Sequence, residues 1–333
     1  ESVILRTIIR WHPPLSVMPR ALIDRDIQPT DLLVDALDPA VDAIIGAGGS
    51  TLIDDLAGMD VLCATSRLQV TAEVIAASEL QVIGKLGTGI DNVDLEAAAA
   101  AGIPVTYTPG LNAMAVAEHA LGLALAVLRQ TPVLEQILAD GHWRDATPLG
   151  TELVGKTVGI IGFGNIGQRF AGLLAGFHTD LLVYDPYIRP EDTQVLGARQ
   201  VDLDTLLQRS DLVSVHAALT PETRGMLDAT AFAQMAPEAV IVNTARGPII
   251  DEAALIDAID AGTIAGAGLD VFASEPLDPD SRLHALERVI TTPHSAARTT
   301  EAAAATIRQL AANVNALLDG QPVPERYLAT PTV

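Results

Sequence analysis

Cysteine is all but missing from this 333-residue chain. Cys63 stands alone, which excludes an intramolecular disulfide or a cysteine-built metal centre, fits a reducing compartment, and leaves the thiol as a small apolar core group. Positive charge is short as well: 20 Lys and Arg against 42 Asp and Glu leave −22. That sign repels phosphodiester backbones, so no nucleic-acid partner is expected, and an anionic substrate requires a locally basic pocket. Long apolar runs are missing too. "ALGLALAVL" at 120–128 falls well below the roughly 20 residues that cross a bilayer, so no membrane association is expected and the location is read as cytoplasmic. No signal peptide is visible, and the chain opens on Glu1 rather than Met, which leaves open that a leader has been removed.

What is present is a regular alternation. The length exceeds what one hydrophobic core usually serves, so two domains are expected. β-rich apolar runs alternate with alanine-rich helical runs, the pattern of α/β architecture with parallel sheets. The first block offers strands at 3–9, 41–47, 60–65, 80–86 and 104–108, and the second at 157–162, 181–185, 212–216, 239–244, 266–272 and 289–293. Between them lies the helical segment 112–130, with Asn112 as N-cap; after them comes a helix over 298–320, closed by Gly320. Two long helices flanking one block predict a domain over 112–297 inserted into another made of 1–111 and 298–333. The tail "QPVPERYLATPTV" is expected to lie over the surface.

The second block opens with "TVGIIGFGNIGQRF", in which Gly162, Gly164 and Gly167 stand in G-x-G-x-x-G spacing between a strand and a helix. A turn of that kind needs glycine for its tight geometry, for close approach to a pyrophosphate at the helix N-terminus, and for helix-to-strand packing. Phe163, Asn165 and Ile166 belong to the same candidate cofactor site. The next strand ends at Asp185, placed to accept hydrogen bonds from a ribose 2′-hydroxyl and to repel a 2′-phosphate. NAD rather than NADP is therefore the expected cofactor. Three later strands deliver Arg246, then Asp270 and Glu275, then His294 to their carboxyl ends, where ligands gather in open parallel sheets. No metal site is expected.

Seven segments, "GTGIDNVD" (87–94), "VAEHALGLALA" (116–126), "GIIGFGNIGQ" (159–168), "LTPETRGML" (219–227), "NTARGPIIDE" (243–252), "GLDVFASEP" (268–276) and "TPH" (292–294), resemble in order the D-isomer-specific 2-hydroxyacid dehydrogenase family. This resemblance implies two Rossmann-like domains with parallel sheets, the NAD-binding one inserted into a flavodoxin-like substrate domain. It implies hydride transfer between NAD(H) and a small anionic 2-hydroxy or 2-oxo acid, of hydroxypyruvate, glyoxylate or 3-phosphoglycerate type. Arg246 would hold the substrate carboxylate through its planar fork, His294 would act as acid and base, and Glu275 would stabilise the imidazolium. Asp270 matches the residue that binds the nicotinamide carboxamide, and Pro186, His216, Thr220, Thr244, Ala245 and His294 join the cofactor site. Backbone amides of Leu86, Gly87 and Thr88 are the candidates for substrate grip. His119 reads as a packed helix residue. A homodimer is implied, with Trp143 reaching toward a neighbouring subunit.

The chain departs from the family pattern in places. Where phosphoglycerate dehydrogenases carry Arg-Ser it has Thr65-Ser66, with Arg67 one step late, which argues against a phosphorylated substrate. Ala218 replaces a common proline, and Ala296 and Ala297 replace common glycines. A C-terminal regulatory domain is not expected. The alternative is an NAD-sensing, corepressor-like binding protein on the same fold, against which the strong negative charge counts.

Overall fold

The computed structural model describes residues 18–46, 51–194 and 196–331. The chain divides into two compact units, one made of Glu1–Asn112 with Thr299–Val333 and the other of Ala113–Arg298.

The first unit is built on β1 (Arg20–Ile23), β2 (Asp42–Ile45), β3 (Val61–Ala64), β4 (Val82–Lys85) and β5 (Val105–Tyr107), joined by a last strand, Leu328–Ala329. Their order is Leu328–Ala329, β5, β4, β3, β1, β2, parallel throughout β1 to β5, which is the doubly wound order of flavodoxin-like sheets. β3 and β4 are buried along their whole length because a parallel sheet is covered on both faces. Cys63 sits in that core, where burial pushes its thiol up to about 12. Thr299 caps the helix Thr300–Leu318 by accepting from the Ala302 amide, and Ile307, Leu310, Ala311 and Val314 pack that helix on Ile23, Val61 and Val82.

Two expectations change here. The strand proposed at 3–9 lies outside the described residues, and β1 comes from "RALI", a run too short to show its own periodicity. The tail does not merely cover the surface. Leu328 and Ala329 pair antiparallel with Thr106 and Val105, the Thr106 hydroxyl donates to Tyr327 O at 2.8 Å, and Tyr327 is buried. Two paired residues leave no alternation for a sequence reading to find.

The second unit carries β6 (Thr157–Ile161), β7 (Asp180–Tyr184), β8 (Arg199–Gln200), β9 (Leu212–Val215), β10 (Val240–Asn243), β11 (Gly266–Leu269) and β12 (Val289–Thr291). All pairings are parallel in the order β12-β11-β10-β9-β6-β7-β8. The strand order reverses between β6 and β9, and in open α/β sheets the crevice outside such a reversal is where ligands bind. The helix Ala113–Leu128 buries Leu123, Ala124 and Val127 in one cluster with Val240 and Val242. Truncating a leucine there is expected to cost about 2–5 kcal/mol. Gln130 turns left-handed (φ 53°) and starts a second helix, Thr131–Ala139. Among the described residues, no single helix is long and apolar enough to cross a membrane.

The acidic surplus has a partial structural account. Asp94, Asp202, Asp228 and Asp251 each cap a helix N-terminus, where a carboxylate accepts free amides and meets the positive end of the helix dipole.

Candidate active site

The turn after β6 is where the sheet order reverses. Gly162 adopts φ +88°, and a Cβ there would fall 2.6 Å from Ala217 N at the end of β9; one on Gly167 would fall 2.2 Å from Gly162 O. Only glycine lets the strand turn, its neighbour and the following helix meet this closely. Gly164 and Asn165 are exposed at the N-terminus of the helix Asn165–Leu173, and a Cβ on Gly164 would meet nothing within 4 Å. An open, glycine-lined helix N-terminus suits a pyrophosphate. Phe163 buries its side chain and donates its amide to Asp185 Oδ2 at 2.8 Å, while Asp185 Oδ1 accepts from Tyr187 N at 2.9 Å. Two amides thus hold this carboxylate at the end of β7, with Pro186 exposed beside it. Ile166 packs partly against the core. These residues fit a dinucleotide.

His216 follows β9. Its Nε2 lies 2.9 Å from Ser214 Oγ and its ring 5.0 Å from Phe170, while Nδ1 is sealed without a partner among the described residues. The residue as a whole is half-buried, but burial of the ring pulls its pKa down to about 3. Thr220 exchanges hydrogen bonds with Thr223 in the next turn, and Thr244 Oγ1 is buried with no partner among the described residues.

The Asn-x-x-Arg-Gly pattern has a local physical basis. Asn243 Oδ1 accepts from Ala245 N and its Nδ2 donates to Arg246 O, each at 2.9 Å, so the asparagine clamps the turn that presents the arginine. Arg246 Nη1 donates to Ala245 O at 2.8 Å. A Cβ on Gly247 would lie 1.9 Å from the Phe272 carbonyl, so glycine here allows the turns after β10 and β11 to touch.

Asp270 begins the loop after β11 and is fully buried. Its Oδ1 accepts from Thr292 Oγ1 at 2.5 Å and Ser295 N at 2.8 Å, its Oδ2 accepts from Ala296 N at 2.8 Å, and its carbonyl accepts from His294 N at 2.8 Å. His294 has φ +49°, a left-handed conformation that costs a β-carbon-bearing residue on the order of 1 kcal/mol. The Asp270 bonds on both sides of it hold that turn. Part of this arrangement was not read from the sequence: His119, on the helix Ala113–Leu128, points Nε2 at Thr292 Oγ1 from 2.9 Å and lies 3.6 Å from Asp270 Oδ1. The one available signal was its place in the "VAEHALG" segment.

Glu275 Oε1 accepts from Phe272 N at 3.1 Å, and its Oε2 meets His294 Nδ1 at 2.7 Å. Burial opposes ionisation of Glu275. The His294 hydrogen bond and charge, the Phe272 amide and the Arg246 charge outweigh it and hold the carboxyl below its usual range. With Nδ1 engaged, Nε2 is the ring nitrogen left for proton exchange.

In the first unit, Leu86 N donates to Ala64 O and Gly87 N to Thr108 Oγ1, both at 2.8 Å. Of the three proposed grip amides, Thr88 N has no acceptor among the described residues, while the Thr88 hydroxyl donates to Asn112 Oδ1 at 3.0 Å. Asn112 immediately precedes the helix it was expected to cap. Thr65 donates its amide and hydroxyl to Asp24 Oδ2 at 3.0 and 2.5 Å, and Arg67 pairs with Asp26 at 3.3 Å. β3 ends at Ala64, so the sequence argument that placed Arg67 by strand alternation does not apply; a turn carries it instead.

Residues 121–296 match the family described as D-isomer specific 2-hydroxyacid dehydrogenase, NAD binding domain. The D-3-phosphoglycerate dehydrogenase of Mycobacterium tuberculosis is 41% identical over 308 residues, 89% of this chain and 58% of that protein, so the chain spans little more than half the length of this relative. A glyoxylate reductase from Paecilomyes thermophila superposes with TM-score 0.83 at 29% identity, over 95% of this chain and 98% of that one. The NAD-dependent formate dehydrogenase from Staphylococcus aureus, in complex with NAD, gives TM-score 0.84 at 28% identity, over 94% of this chain and 100% of that one.

Proposed function

From the premise that the chain belongs to the D-isomer-specific 2-hydroxyacid dehydrogenase family, we propose that it interconverts a small D-2-hydroxy acid and its 2-oxo acid with NAD(H). The observation that carries this reading is the His294–Glu275 pair at 2.7 Å on the strand ends that also present Arg246 and the glycine turn. In this reading Ala113–Arg298 is the NAD-binding domain and the other unit the substrate domain.

NAD(H), when bound, supplies or accepts the hydride. The exposed amides at the Gly164 helix N-terminus hold the pyrophosphate, Asp185 accepts ribose hydroxyls, and the strand-end residues His216, Thr220, Thr244 and Ala245 line the remainder. Arg246 grips the substrate carboxylate through its planar fork and polarises the neighbouring carbonyl. His294 donates its Nε2 proton to the carbonyl oxygen during reduction and takes it back during oxidation, and the Glu275 carboxylate offsets the imidazolium charge in between. The Thr88 amide is a further carboxylate donor. Asp270, with its carboxylate occupied by Thr292, Ser295 and Ala296, contributes by holding the His294 turn.

We favour an unphosphorylated substrate of hydroxypyruvate or glyoxylate type. Support comes from Thr65 and Arg67, each already engaged by a carboxylate, Asp24 and Asp26, where phosphate recognition would call for a free arginine. A panel of 2-oxo acids with NADH, followed by loss of nicotinamide absorbance, tests the reading. Turnover is expected on at least one small unphosphorylated acid and lost in His294→Ala. Tight NADH binding without turnover on any member would instead favour an NAD-sensing binding protein.

The homodimer reading rests on the segment after the helix Ala113–Leu128, where Leu138, Trp143, Leu149 and Val154 are all exposed, Leu149 to 94%. Apolar side chains at that exposure favour burial against a second copy.

A further inference from the structure

We propose that His119 is a positioning residue for the acid/base His294, acting through the Thr292 hydroxyl and the buried Asp270 carboxylate. This rests on the assignment of His294 made above, and it gives a role to a side chain that the sequence reading treated as helix packing.

The hydrogen-bond directions follow from the groups themselves. An ionised carboxylate only accepts, so the 2.5 Å contact between Thr292 Oγ1 and Asp270 Oδ1 uses the hydroxyl proton. The 2.9 Å contact between His119 Nε2 and the same oxygen then requires the imidazole to donate. The result is a one-way chain, His119 N–H to Thr292 O–H to Asp270 Oδ1, in which each donor fixes the next. A serine or threonine hydroxyl rotates freely unless both its proton and its lone pair are engaged. His119 therefore sets where the Thr292 proton points.

Asp270 is the point at which this matters. Its side chain is 1% exposed, and the one cationic group paired with it is His119, at 3.6 Å. A buried carboxylate is held in place only if its oxygens are satisfied. Oδ1 takes Thr292 Oγ1 and Ser295 N, Oδ2 takes Ala296 N, and the Asp270 carbonyl takes His294 N. The residue these four bonds bracket is His294 in its left-handed conformation. Releasing the Thr292 hydroxyl frees Oδ1 to turn away from Ser295 N, and the turn can relax toward φ below zero. Relaxation draws Nδ1 away from Glu275. The helix bearing His119 is anchored independently, by Leu123, Ala124 and Val127, so the donor is presented from a rigid body.

The test compares His119→Gln, which keeps an N–H donor at similar reach, with His119→Leu, which fills the space without one, and Thr292→Val, which removes the middle link but not its shape. We expect Leu and Val to lower kcat roughly tenfold, the scale of one lost buried hydrogen bond, with NADH affinity unchanged and with Gln restoring most of the rate. The second readout needs no turnover: the Glu275 carboxyl, followed by carbon NMR titration, should move up toward the ordinary carboxylate range in Leu and Val and stay low in Gln. If no 2-oxo acid is turned over by the unmodified protein, the functional reading fails, while the Glu275 titration still decides the role of His119. Unchanged Glu275 titration in both Leu and Val, or Gln as impaired as Leu, overturns the proposal.

Discussion

Glu275 Oε2 and His294 Nδ1 stand 2.7 Å apart although they come from the loops after two different strands, β11 and β12. The contact orients the imidazole with one nitrogen engaged and the other free, the geometry a proton-transfer residue needs.

Replacing Glu275 with Gln keeps the shape and removes the counter-charge. We expect kcat to fall by about 10² while NADH affinity holds, with His294→Ala falling further, toward 10⁴. Because Glu275 titrates below its usual range in the folded protein, it also contributes stability above about pH 4.5 that disappears as pH falls through its folded value. Steady-state kinetics and urea unfolding at pH 7 and pH 4 check both; a Gln variant with normal kcat removes the electrostatic role.

Asp185 faces the ribose position with its carboxylate fixed by the Phe163 and Tyr187 amides. Adding a 2′-phosphate there places like charges together, so kcat/KM for NADH should exceed that for NADPH by at least about tenfold. Asp185→Asn should narrow the gap. Equal values for the unmodified protein would leave Asp185 without its assigned role.

Gly247→Ala forces a Cβ to within 1.9 Å of the Phe272 carbonyl, a backbone group that cannot swing aside. Separating the two turns should cost about 1–3 kcal/mol or more and loosen the Arg246–Glu275 neighbourhood, visible as a lower Tm and reduced kcat/KM. A variant with unchanged Tm and activity contradicts the proximity of these turns.

Burial holds the His216 imidazole at about 3, below its ordinary value of 6.5. Between those values the unfolded chain binds a proton that the folded chain refuses, so this group's contribution is complete above pH 6.5 and erodes as pH falls toward 3. His216→Asn should flatten the acid limb of the stability curve by up to about 1.4 kcal/mol per pH unit. Urea midpoints from pH 7 to 4 report it, and parallel curves for the two proteins refute it.

The sequence by itself determined the α/β class, the glycine turn and the strand ends carrying Arg246, Asp270, Glu275 and His294. Those features are local: strand periodicity, N-caps and glycine spacing are imposed by the backbone over a few residues. The family resemblance read from seven segments holds, as does the NAD cofactor it implies. Only the tertiary structure decided that Leu328 and Ala329 extend the first sheet, that His294 sits at positive φ, and that Asp270 turns its carboxylate inward to hold that turn. It also brought His119 to Thr292 across 173 residues of sequence. Contacts of that separation leave no spacing in the chain to read, because they depend on which helix lies over which strand, and packing of the whole unit sets that.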